Sequence, residues 1–174
     1  MYVFILYLQI SVDTSSSNIQ QAQVIHHTSD LNMGSITEVW KSTHEWKKFY
    51  TWLDHSPPEG LDSSNVPMKL SRYAKFLSLF VQLHCKEKEL IEQGSKNANQ
   101  ILMDRIEAIH QDPEGFFDTE RCLRCIDAGV RKQVMDNLKQ VRKSQADPGV
   151  WVYQPAYSPV LDKLNHLLGF YHEK

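Results

Sequence analysis

Three short breaks built on proline and glycine cut this chain: Pro57-Pro58-Glu59-Gly60, Asp112-Pro113-Glu114-Gly115 and Asp147-Pro148-Gly149. Proline has no amide hydrogen to donate and disfavours the helical region for the residue before it, so no helix is expected to run through any of them. The stretches between the breaks carry apolar side chains at three- and four-residue spacing, the period of a single buried helical face. Ser35 followed by Glu38 forms a capping-box pattern, and Ile36, Val39, Trp40, Trp46, Phe49 and Leu53 then predict a first helix over 36–54. A second, over 68–93, carries Leu70, Tyr73, Leu77, Phe80, Val81 and Leu90, with Gly94 suited to a left-handed cap. Ser95 caps a third helix reaching Ile109, and Asp118 caps a fourth that keeps its period to Lys143 despite Gly129. Trp151–Tyr157 reads as an extended aromatic strap, and Ser158-Pro159 as the cap and first residue of a last helix bearing Leu161, Leu164, Leu168 and Tyr171. The expected fold class is all-α, with about five amphipathic helices in an orthogonal or bundle-like single domain.

The first ten residues, Met1 to Ile10, are almost wholly apolar, too short a run for the roughly 20 residues that cross a bilayer. Their β-branched and aromatic composition predicts a short apolar strand or tail. No Lys or Arg precedes Lys41, so the basic start of a secretory signal is missing and export by that route is not expected. Residues 11–34, with Ser15-Ser16-Ser17 and a Gln-rich stretch, read as a flexible linker. The predicted organisation is an N-terminal segment over 1–34 and a helical domain over 35–174.

Function classes narrow by charge and by cysteine content. With 19 Lys and Arg against 21 Asp and Glu, the formal charge of -2 creates no global field that calls for nucleic acid or an anionic membrane. Three cysteines are too few for a secreted disulfide scaffold, which favours a reduced cytoplasmic setting. Cys122-Leu-Arg-Cys125 has the spacing of a zinc-thiolate or redox pair, but its predicted place inside the fourth helix, with no matched second pair, favours packing and no metal site. The eight histidines show no metal-ligand spacing, and no cofactor is expected. Arg121, Arg124, Arg131, Lys132, Lys139, Arg142 and Lys143 make the fourth helix locally basic, either a solvated face or one for an acidic partner, a phosphate backbone or an anionic lipid surface; without interleaved aromatics it is a poor nucleic-acid surface. Trp40, Trp46, Phe49, Tyr50 and Trp52 exceed what one helical face can bury, so one or two of them should meet another element or chain. Trp151 is a candidate anchor in the strap. The partner-binding candidates are thus Trp40, Trp46, Arg124, Arg131, Lys132 and Trp151.

Two segments carry a family resemblance. Phe49-Tyr-Thr-Trp52-Leu53-Asp54 resembles the Phe-x-x-Phe-Leu-Asp segment, and His110-Gln111-Asp-Pro-Glu114-Gly115-Phe-Phe117-Asp118 the His-Gln-x-x-Glu-Gly-x-Phe-Asp segment, of the novel E3 ubiquitin ligase domain of bacterial leucine-rich-repeat effectors. Between them, Asp104-Arg105-Ile106 falls on the Asp-Arg-Val of that family's Cys-x-Asp-Arg-Val motif, with Leu102 in place of the nucleophile. A rival register sets Cys85-Lys86-Glu87-Lys88 on the motif, keeping the thiol and replacing Asp by Glu87. The resemblance implies Cys85 and Asp104 as catalytic candidates from the two registers, and a ubiquitin-conjugating enzyme as partner. It also implies a cytoplasmic protein that, if effector-like, is delivered into a host cell. With the motif divided in this way, it implies a degenerate or truncated ligase acting by protein binding. The alternative is a non-catalytic helical adaptor unrelated to ubiquitin.

Overall fold

A computed structural model describes residues 35–55 and 69–173; the strand expected within 1–10, the linker over 11–34 and the Pro57–Gly60 break lie outside the described residues. The described chain is all-helical. Its elements are α1 (Ile36–Lys41), α2 (Thr43–His55), α3 (Ser71–Glu92), α4 (Ala98–His110), α5 (Ala128–Arg142), a 3-10 turn (Val150–Val152) and α6 (Gln154–His172). The two long helices α3 and α6 pack against each other as a spine. Helices α1 and α2 lie against both α6 and each other, α4 lies against α3, α5 against α6, and the 3-10 turn touches α3, α5 and α6.

The expected first helix is two. Ser42 leaves the helical region at φ -103°, ψ 109°, and its hydroxyl accepts the Glu45 amide at 3.2 Å, so the working N-cap is Ser42 with Glu45 three residues on. Ser35 makes no side-chain cap; the Ile36 amide donates instead to Asn165 Oδ1 of α6 at 2.9 Å. The bend at Ser42 lets Trp40 and Trp46 meet edge to face at 4.6 Å. Phe49 and Trp52 stack at 5.9 Å, and both meet Tyr171 of α6, at 5.4 and 5.5 Å. The surplus aromatics are thus covered by another helix of the same chain.

Helix α3 ends as its sequence suggests. Gly94 takes φ +57°, the Gly94 amide donates to Ile91 and that of Ser95 to Leu90, both at 3.1 Å, which closes a Schellman cap. Helix α5 closes with the same pair of bonds, Ser144 to Val141 and Gln145 to Gln140, each at 2.9 Å. There the left-handed position is held by Ser144 at φ 54°.

The fourth helix starts nine residues later than Asp118 would set it, at Ala128. Asp118 Oδ1 accepts the Glu120 amide at 2.9 Å in a short turn, while Asp127 accepts the Val130 amide at 2.8 Å and is the cap of α5. Cys122 and Cys125 therefore lie on a non-helical segment. The Trp151–Tyr157 strap is not extended either. Val152, Tyr153, Ala156 and Tyr157 are all buried, and winding into a 3-10 turn and then α6 is what turns them inward together; Pro159 ends up inside the helix.

The core beneath the 3-10 turn is aromatic. Phe76 of α3 is fully buried and meets Phe116 and Phe117 at 5.6 Å and Tyr153 at 6.2 Å. Phe117 stacks on Tyr153 at 5.3 Å, whose hydroxyl donates to the Ile106 carbonyl of α4 at 2.8 Å.

Candidate functional site

The most elaborate polar construction among the described residues holds the segment 111–127, between α4 and α5. Its backbone forms no helix, so its amides and carbonyls need partners from elsewhere. Arg72 and Lys75, one turn apart on α3, supply them. Lys75 Nζ lies 2.9 Å from Asp112 Oδ1 and 3.3 Å from Glu114 Oε1. The Arg72 guanidinium donates to the Glu114 carbonyl at 2.6 Å and to the Arg121 carbonyl. Arg121 reaches back to the Pro113 carbonyl at 3.0 Å and to Asp118 at 3.2 Å. Gly115 takes φ +63° so that its amide reaches the Asp112 carbonyl at 2.8 Å, and a Cβ there would crowd Asp118 and Arg121. Phe116 and Phe117 anchor the underside in the core.

The outer side of this segment is an open depression of about 460 Å³, whose lining includes His110, Asp112, Phe117, Asp118, Arg121 and Met135. Burial, aided by the Arg142 charge, holds the His110 imidazole below its ordinary pKa against the opposing pull of Glu107. Its Nδ1 is buried with no hydrogen-bond partner. A rigid rim of mixed charge with an apolar floor suits a peptide or side-chain contact better than a small apolar ligand.

The candidates from sequence scatter. Cys85 is buried on α3, with burial pushing its thiol up to about 11; a thiol so placed is almost wholly protonated at neutral pH. Asp104 lies exposed on α4, accepting from Gln100 at 2.7 Å. Leu102, at the nucleophile position of the other register, is buried. Trp40 and Trp46 are turned inward, each 8% exposed. Trp151 is half-buried, its indole donating to the Asp147 carbonyl at 2.9 Å.

The basic face is largely paired. Lys132 and Lys139 both reach Asp136, at 2.8 and 3.4 Å, and Arg142 grips Glu107 with two bonds of 2.7 and 2.8 Å. Arg124 lies on the clamped segment, and Arg131 and the exposed Lys132 follow it at the start of α5, where the Arg131 charge reaches Cys122.

Arg72 and Lys75 went unread in the sequence, and Asp112 and Glu114 were read only as part of a helix break and a family segment. Their signal was present: two cations three apart on one helix face and two acids flanking Pro113. Nothing in either stretch says that the two will meet.

Among the described residues no group of three or more His, Cys, Asp or Glu could hold a metal ion, and no described helix is long and apolar enough to cross a membrane. No protein-family model matches the chain, and searches of curated proteins and of solved structures return no match.

Proposed function

We propose that this chain is a helical protein-interaction domain that docks a partner on the clamped segment 111–127 and the adjoining start of α5, and that its resemblance to the effector ubiquitin ligase domain is one of binding and not of thioester transfer. The observation that carries this reading is the clamp. A long irregular segment inside a helical domain is a common carrier of binding function, and here two cations and two buried phenylalanines fix it in advance, which lowers the ordering cost on association. Arg124, Arg131 and Lys132, three of the residues singled out by sequence, belong to this region. The burial of Cys85 and of Leu102 supports binding over transfer, because transthiolation needs an accessible thiolate.

Two experiments test it. Incubating the chain with activating enzyme, charged conjugating enzymes and ubiquitin should give no reductant-sensitive adduct; an adduct abolished by Cys85→Ala overturns the reading. A photo-crosslinking side chain at Thr119 should capture a protein from host-cell extract, with the yield lowered by Arg124→Glu. The same probe at Gln93, at the far end of α3, should capture nothing. Equal capture at both positions also overturns it.

A further inference from the structure

The Cys122-Leu123-Arg124-Cys125 pair lies outside any helix, and its backbone reverses direction within it. The Leu123 amide donates to the Phe116 carbonyl at 3.0 Å, and the Ile126 amide to the Leu123 carbonyl at 2.9 Å. Leu123 to Ile126 is thus a tight turn hung from a buried phenylalanine, with one cysteine just before it and the other at its third residue. We propose that Cys122 and Cys125 form a redox-active dithiol, closed to an intramolecular disulfide by a low-molecular-weight disulfide oxidant.

Four features of the surroundings support the assignment. Both thiols are free and part exposed, while Cys85 is buried. Cys125 feels the charge of Cys122 across the turn. Burial raises both thiols, Cys125 to about 12, and cations counter it, Arg131 and Arg72 at Cys122 and Lys163 of α6 at Cys125, so that each keeps a minor thiolate population for the attack. The flanks are fixed, by the Arg72 guanidinium on the Arg121 carbonyl and by the Asp127 cap of α5, so closure asks only the short turn between them to adjust. Two sulfurs are all a disulfide needs, whereas a structural zinc site takes four ligands.

The chemistry is ordinary thiol–disulfide exchange. Cys122 loses its proton and its sulfur attacks one sulfur of the oxidant, forming a mixed disulfide and expelling one thiolate. Cys125 then loses its proton and attacks the Cys122 sulfur, closing the bridge and expelling the second thiolate. The two protons end on the two expelled thiols, the protein dithiol is oxidised by two electrons, and the oxidant is reduced to two thiols. Cys122 is the first attacker because burial raises its thiol less than that of Cys125. Closure ties the entrance of α5 to the Phe116 anchor, and this inference stands whether or not the segment docks a partner.

The test is intact-mass spectrometry of the full chain treated with oxidised glutathione at neutral pH, quenched in acid and then alkylated under denaturing conditions. The parent chain is expected to lose two hydrogens and to keep one alkylatable thiol, Cys85, with full reversal by dithiothreitol. Cys122→Ser and Cys125→Ser, each checked for fold by circular dichroism, should never lose two hydrogens; Cys85→Ser should behave as the parent. A persistent glutathione adduct on the parent chain, disulfide-linked dimers, or three alkylatable thiols under excess oxidant would each overturn the proposal. Closure that occurs only in the urea-unfolded chain overturns it too.

Discussion

The aromatic seam of α1, α2 and α6 and the clamped segment 111–127 are both anchored on the long helices, yet different forces hold them. In the seam, Trp40, Trp46, Phe49, Trp52 and Tyr171 stack on one another, and a contact between rings survives small shifts of either partner. In the segment, individual carbonyls are met by donors from Arg72 and Arg121 and the Asp112 carboxylate by Lys75, and losing a donor strands its acceptor. Apolar burial sets how stable the domain is; directed polar contacts set the shape of the longest non-helical stretch among the described residues.

Deleting the ring shared between the core and the segment should cost most. Phe76→Ala removes a fully buried side chain touching Phe116, Phe117 and Tyr153, and urea denaturation should register a loss of about 3–5 kcal/mol. Arg72→Met keeps the aliphatic bulk and removes the donors, for an expected loss of about 2–3 kcal/mol. Its sharper signature is local: amide exchange should accelerate across 112–123 and stay unchanged in α1 and α2. Uniform acceleration would erase the distinction between the two regions.

Acid should act on the Glu107–Arg142 pair, which joins the helices on either side of the segment. Hydrogen bonds from Arg142, only partly offset by burial, hold the Glu107 carboxyl below its ordinary pKa. A carboxyl whose folded pKa is depressed adds stability above its unfolded pKa, and that stability is lost as pH falls through the folded value. Glu107→Gln should therefore flatten the acid limb of the stability curve and leave the neutral plateau lower, read by thermal melting across pH. At the end of α5, Ser144→Gly removes the strain of a left-handed serine and should raise stability by under about 1 kcal/mol. Lys132→Ala, on a solvent-exposed pair, should leave the denaturation midpoint where it was.

The same division decides what could be read in advance. The period of Tyr73, Leu77, Phe80 and Val81 announced α3, and Gly94 announced its end, because both signals are local. The bend at Ser42 was legible in principle, since Ser42-Thr-His-Glu45 repeats the capping pattern used for Ser35 seven residues earlier. The start of α5 was misread because Asp118 and Asp127 are both good caps; the buried Leu123 places its amide on the Phe116 carbonyl, a bond that a helix started by Asp118 would replace with one to Thr119. The clamp and the dithiol turn rest on pairings between distant stretches, such as Arg72 with Arg121, that no local pattern encodes.

The bond from the Ile36 amide to Asn165 joins residues 129 positions apart. During synthesis, α1 leaves the ribosome ahead of the other described helices and is completed last, because its capping group and the Tyr171 ring that covers Phe49 and Trp52 belong to α6. Until those residues emerge, four indole and phenyl rings wait without their lid. A chain stalled before Asn165 would present them to chaperones and proteases as a recognisable mark of unfinished protein.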